Sequence, residues 1–167
     1  NLPPHDPFIF HADGTPREDI IDHYELGYGP AAGQRWRELW TEQLFFVNDV
    51  ILETVESILV RSDVTPIIVI QSDHGPSSVM MSLQTVSTNS RTVWDDPSNP
   101  DQVFEHSSIL NTILVPEHCR DSLYPTLSPV NIFRLIFDSC LGSSLGLVDD
   151  TTYWGGWGDV FIELDPE

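Results

Sequence analysis

The stretch "VTPIIVIQSDHGPSS" (residues 64–78) runs β-branched apolar residues straight into a neighbouring carboxylic acid and imidazole, Asp73 and His74, and then into Gly75 and Pro76. A carboxylate oxygen beside an imidazole nitrogen suits Zn²⁺ or Mn²⁺ better than it suits Ca²⁺ or Mg²⁺, the alternatives, which favour all-oxygen shells. Consecutive side chains of a regular strand point to opposite faces, so the two groups can meet on one ion only where the pleat gives way to a turn. Gly75 makes such a turn inexpensive. Two ligands do not close a site, and the rest must come from elsewhere. On the dipeptide alone the plainer reading is an Asp that caps the following turn beside an incidental His. The company it keeps favours the ion: an apolar strand exit, a glycine, a long polar segment, and a second strand start at "PHDPF" (residues 4–8) that brings His5.

The elements that must position these groups can be read from periodicity. "PFIFHADG" (residues 7–14) predicts a strand closed by the turn signal of Asp13 and Gly14. From about Gln34 to Arg61, Trp36, Leu39, Trp40, Leu44, Val47, Ile51, Val55 and Ile58 recur at intervals of three and four, as on a long amphipathic helix. "IIVI" (67–70) is too short for a helix and predicts a strand buried on both faces of a parallel sheet. Residues 76–105, with "STNSRTVWDDPSNPDQ", read as a long loop. "SSILNTILVP" (107–116) predicts another strand. "SPVNIFRLIFDSCLG" predicts a helix with Ser128 as N-cap, Pro129 in its first turn and Gly142 past its end. "DDTTYWGGWGD" reads as an aromatic, glycine-rich loop and "VFIEL" as an edge strand. The alternation indicates an α/β layered domain with a largely parallel sheet flanked by helices. Ligands of such sheets gather at strand carboxyl ends. Asp73 and His74 lie at one.

Bulk composition narrows the partners. A chain of 167 residues fits one domain with a real core. Its formal net charge of −19 leaves little cation density to displace the counterions of a nucleic acid, so no nucleic-acid partner is expected. No apolar run approaches the length of a membrane helix. The chain begins at Asn1 without an export signal and reads as a piece of a longer protein. Cys119 and Cys140 fit neither a disulfide framework nor a zinc-ligand spacing, and buried free thiols are expected.

"QSDHGP" after "PIIVI", together with "HDPFIF" and the helix running from "YELGYGPAAGQRW" to "LVRS", resembles the C-terminal half of a sulfatase-like protein of the alkaline phosphatase superfamily. The likeness is greatest to the branch that includes phosphoglycerol transferases and lipoteichoic acid synthases. It extends through "ILNTILVPEHCRDSLYPTLSPVNIFRLIFDSCLG" and covers nearly the whole chain. The resemblance implies a partial alkaline phosphatase-like fold over residues 1–167 and a metal-dependent hydrolase or transferase of phosphate or sulfate esters, lipid- or glycan-linked ones among them. It implies that Asp73 and His74 ligate the metal and that His5, in the family's H-x-P-F motif, approaches the phosphoryl or sulfuryl group. It further implies an extracytoplasmic domain whose membrane contact runs only through upstream segments. The family's nucleophile and first acidic ligand lie in an N-terminal half that this chain lacks, so catalysis by the chain alone is not expected. Neither cysteine stands in a C-x-P-x-R context, which rules both out as formylglycine precursors. The rival reading is a non-catalytic acidic α/β module that keeps the fold for binding or assembly.

Other candidates read more plainly. His106 in "VFEHSSIL" is weighed as a third nitrogen ligand and set aside, and His11 reads as a hydrogen-bonded structural histidine. His23 and His118 fall in polar segments and read as solvated. Ser77 and Ser78 lack a G-x-S-x-G elbow and a suitably placed acid, so no serine triad is expected. The aromatics of the tail read as packing onto the domain edge.

Overall fold

The computed structural model describes residues 4–83, 98–155 and 161–164. Helices and short strands group into two compact units, one within Asn1–Ser57 and Asp73–Ile109 and the other within Ile58–Ser72 and Leu110–Glu167.

The first unit opens with β1 (Phe8–Phe10) and β2 (Pro16–Ile21), an antiparallel pair with Phe8 opposite Ile21 and Phe10 opposite Pro16. The turn between them carries Gly14 at a positive φ of 80°, as the Asp13 and Gly14 signal predicts. β2 escapes a reading by pattern because "PREDII" puts charges where a strand alternation should show apolar residues. A short helix, α1 (His23–Leu26), follows, started by Asp22, whose carboxylate accepts from the Tyr24 and Glu25 N–H groups.

The long helix is α2 (Pro30–Arg61), which begins four residues earlier than its apolar periodicity indicates because Pro30 is well suited to a first helical turn. Ala32, Trp36, Leu39 and Gln43, spaced by three and four, turn inward, and Gly33 lies beside them. Trp36 meets Phe8 edge to face at 5.7 Å, and Phe8, Trp36, Leu39 and Met81 form the core. Each such side chain, once fully buried, contributes on the order of 1.5–3 kcal/mol. The amphipathic stripe is fully buried only along its first part: Leu44, Val47, Ile51 and Val55 are half-buried and Ile58 is 38% exposed.

The segment expected to be a loop over 76–105 carries helices at both ends, α3 (Ser78–Leu83) and α4 (Pro100–Ser107), while 84–97 lie outside the described residues. The start of α4 is written locally. Asn99 Oδ1 accepts from the Gln102 N–H at 3.1 Å, Pro100 stands in the first turn and Asp101 favours the helix N-terminus. The polar composition hid it.

The second unit contains β3 (Ile68–Gln71), β4 (Asn111–Leu114), α5 (Glu117–Arg120), α6 (Pro129–Leu141), β5 (Thr152–Gly155) and β6 (Phe161–Leu164). β3 and β4 pair antiparallel, from Ile68 opposite Leu114 to Gln71 opposite Asn111, and β5 pairs antiparallel with β6. A largely parallel sheet is therefore not what the described strands form; each sheet is a two-stranded antiparallel ladder. The chain leaves β3 and enters β4 at the same end, where the Ser72 N–H donates to Leu110 O at 3.0 Å and the Leu110 N–H to Ser72 Oγ at 2.8 Å. A four-residue apolar run specifies a strand but not the direction of its neighbour. β3 is also half-buried, not enclosed on both faces.

Helix α6 keeps its expected limits, with Gly142 in the left-handed conformation at φ 73°. Ser128 occupies the N-cap position, yet its hydroxyl donates to Asp150 instead of receiving a helix N–H. Ile132, Leu135 and Ile136 pack with Val115, Cys119 and Leu127. Cys119 and Cys140, expected as free thiols, are joined in a disulfide that ties α5 to α6. A separation of 21 residues with no further cysteines carried no signal of pairing. Among the described residues no helix is long and apolar enough to cross a membrane.

The segment after α6 is tied down by carboxylates. Asp138 accepts from the Leu145 N–H and the Ser143 hydroxyl, both at 2.7 Å, and from the Gly146 N–H at 2.8 Å, which holds its pKa below the ordinary 3.8; the Leu145 bond contributes most. Asp150 is lowered likewise, first by the Ser128 hydroxyl and then by that of Tyr124. A carboxylate with a depressed folded-state pKa stabilises above its unfolded value and loses that contribution as pH falls through the folded one. The amide protons of Leu145 and Gly146, followed by NMR, should therefore titrate with a midpoint below 3.8. A midpoint at or above 3.8 would mean that Asp138 does not hold this segment.

Candidate metal-binding turn

Two residues beyond β3 the chain turns through Asp73, His74 and Gly75, all within the first unit. The His74 N–H donates to Asp73 Oδ1 at 3.1 Å, and His74 Nδ1 lies 2.7 Å from Gly75 O. A carbonyl can only accept, so Nδ1 carries the proton and Nε2 is left with a lone pair. Nε2 lies 3.8 Å from Asp73 Oδ2. With metal–ligand distances of about 2.0–2.2 Å, two ligands at a tetrahedral angle lie about 3.4 Å apart, so the pair needs to close by only about 0.4 Å. The carboxylate and the imidazole are thus close enough for one ion to reach both. The Asp73 side chain is 90% exposed, which leaves it free to make that adjustment.

Gly75 has a different reason for being glycine from the one its motif suggests. A Cβ there would stand 1.9 Å from Glu105 O and 2.7 Å from Ser108 O, so the position is fixed by the close approach of α4 and not by a positive φ.

His5 belongs to the same unit. Its ring centroid is 6.1 Å from that of His74, nearly perpendicular to it. His5 Nδ1 donates to Asp6 O at 2.6 Å and lies 3.1 Å from Asp6 Oδ1, so its Nε2 is likewise the free nitrogen. The buried Asp6 carboxylate also accepts from His23 Nδ1 at 2.6 Å. His23 is therefore not simply solvated, as its polar surroundings suggested, but shares a carboxylate with the His5 segment. That segment is held from behind by Gln43, which is fully buried on α2. Gln43 Oε1 accepts from the N–H groups of Ile9 (2.7 Å) and Phe10 (3.1 Å), and its Nε2 donates to Pro4 O and His5 O, each at 3.2 Å. Every hydrogen-bonding capacity it has toward β1 is used.

His106 stacks on His74 with ring centroids 4.7 Å apart. Sequence reasoning considered it and set it aside; its place beside His74 follows from the packing of α4 on the turn. Among the described residues no group of three or more His, Cys, Asp and Glu side chains is arranged to hold a metal ion. Asp73 and His74 are two donors, not a closed shell. No protein-family model matches the chain, and no curated protein or solved structure does.

The remaining candidates are accounted for. His11 Nδ1 lies 3.4 Å from Glu42, which also pairs with Arg17, and His118 is exposed on α5. Ser78 is buried with its hydroxyl occupied by Glu105 and Arg37, so it offers no nucleophile. In the tail, Trp154 is buried, while the later aromatic of "YWGGWGD", Trp157, lies outside the described residues. Asp6, Gln43 and Glu105 were missed by sequence reasoning. The only available signal was the adjacency of Asp6 to His5, because long-range hydrogen bonding leaves no local pattern.

Proposed function

We propose that this chain is the C-terminal part of a sulfatase-like catalytic domain of the alkaline phosphatase superfamily, acting with a divalent metal ion as a hydrolase or transferase of phosphate or sulfate esters. The observation that carries this reading is the 3.8 Å approach of His74 Nε2 to Asp73 Oδ2, with the His5 ring beside them. Asp73 and His74 would hold the ion, Mn²⁺ or Zn²⁺ by donor type. When bound, the ion supplies Lewis acidity toward a non-bridging ester oxygen and toward a hydroxyl nucleophile. The His5 ring lies 6.1 Å from that of His74 and, as the imidazolium, would donate from Nε2 to an ester oxygen or protonate the leaving group there, steadied by Asp6 at its other nitrogen. The nucleophile and the remaining ligands would come from an upstream part of the domain. Strands from that part would extend the β3–β4 ladder into the largely parallel sheet that the alternation of elements indicates. The Cys119–Cys140 disulfide supports placing the domain on the extracytoplasmic face, since such bonds persist in oxidising compartments.

Manganese titration followed by electron paramagnetic resonance tests the metal reading. The chain should take up one ion saturably, and Asp73→Ala and His74→Ala should each weaken it by at least about tenfold, comparable to or beyond the loss from removing an outer-shell partner. Equal weak binding by all three would make the acidity of the chain the whole cause, and a non-catalytic acidic module would then be the better account.

A further inference from the structure

We infer that Glu105 is the positioning residue of the Asp73–His74 pair. The proposal rests on the metal reading above for its consequence, but on contacts of its own for its geometry.

The turn that bears the pair is fastened to α4 at three successive points. The Gly75 N–H donates to His106 O at 2.7 Å. The Ser78 hydroxyl donates to Glu105 Oε1, and the Val79 N–H donates to Glu105 Oε2 at 2.7 Å. One carboxylate thus satisfies a fully buried hydroxyl and an otherwise orphaned N–H in the first turn of α3. Its second support is Arg37 on α2, whose Nε and Nη2 reach Ser78 Oγ at 3.2 and 3.0 Å. Ser78 therefore receives hydrogen bonds from α2 while giving one to α4, which pins the end of the turn between two helices.

His74 depends on this fastening because the acceptor of its Nδ1–H, Gly75 O, moves with the turn. Were α4 to release residues 75–79, that carbonyl would swing away and the ring would lose the partner that keeps the proton on Nδ1. Histidine in water favours the proton on Nε2, the nitrogen that must be bare to bind an ion. Glu105 therefore maintains the tautomer competent to bind, at one remove from the ligands themselves. Partners of this kind typically alter metal affinity by about 10–100-fold.

The test pairs a tautomer measurement with a metal titration, on the whole chain. Long-range ¹H–¹⁵N spectra at about pH 8, where an ordinary histidine is neutral, read which nitrogen of His74 carries the proton. The native chain should show Nδ1–H. In Glu105→Ala the population should shift toward Nε2–H, and Mn²⁺ affinity should fall by about 10–100-fold. Glu105→Gln keeps a carbonyl acceptor for the Val79 N–H and should retain most of the native tautomer, with a loss of less than about tenfold. A purely structural cap would lower thermal stability without moving the tautomer. A folded Glu105→Ala chain that keeps Nδ1–H on His74 and binds Mn²⁺ like the native one overturns the proposal. If circular dichroism shows Glu105→Ala unfolded, Ser78→Ala, which removes one of the two bonds to the carboxylate, decides by the same two readings. Equal Mn²⁺ affinity of the native chain and Asp73→Ala would sink the metal reading instead, and the tautomer shift alone then decides the role of Glu105.

Discussion

Gln43→Ala is expected to destabilise the first unit by more than about 3 kcal/mol, since each buried polar group left without a partner costs about 1–3 kcal/mol. Gln43 serves four such groups at once: two N–H groups of β1 and the carbonyls of Pro4 and His5. No water easily replaces it, because the side chain is fully buried against β1. Alanine would add a cavity to these losses. With total stabilities of about 5–15 kcal/mol for a domain, such a change consumes a large share. Urea unfolding followed by tryptophan fluorescence measures it, and Gln43→Glu separates its parts. The glutamate keeps acceptors for Ile9 and Phe10 but has no hydrogen for the two carbonyls, so its loss should be substantial while differing from that of alanine. A loss below about 1 kcal/mol for Gln43→Ala, within the scatter of ordinary single substitutions, would show that β1 finds other partners.

Reduction of the Cys119–Cys140 bond should have the next largest effect. A cross-link closing a loop of 21 residues removes chain entropy from the unfolded state worth about 3 kcal/mol. The bond joins a four-residue helix to α6, and Cys119 is part of the apolar cluster around Ile132 and Leu135. Cys140→Ser should accordingly lower the urea midpoint of the second unit, and reductant should bring the native chain to the same place while leaving Cys140→Ser unaffected. Two thiols reacting in the native, unreduced chain would contradict the pairing.

Local rules recovered the long helix from Gln34 onward by its apolar spacing, though not its first turn at Pro30, and α6 by Pro129 near its start and Gly142 past its end, because these are properties of neighbouring residues. The same rules announce α4, whose Asn99 and Pro100 form a recognisable start, but a run of serines, asparagines and acids outweighed them. Strand direction was out of reach because "IIVI" is equally apolar to a parallel or an antiparallel neighbour. Cysteine pairing was out of reach for a similar reason. At the turn, the residue types of Asp73 and His74 could be read, whereas the glutamine and glutamate that steady His5 and His74 sit 38 and 31 residues away from them, as far as Gln43 is from His5 and Glu105 from His74. A mid-helix glutamine ordinarily faces solvent, and only packing reveals that this one does not.

The absence of a β-carbon at position 75 reaches beyond the turn itself. The carbonyls of Glu105 and Ser108 occupy the volume that any larger residue would need. Selection from a library randomised at 73, 74 and 75 for folding alone, with chelator present throughout, should therefore return glycine at the third site and a free mixture at the first two. The glycine of this tripeptide records how tightly one backbone lies on another, and ion capture, as proposed, would leave its mark only on the two residues before it.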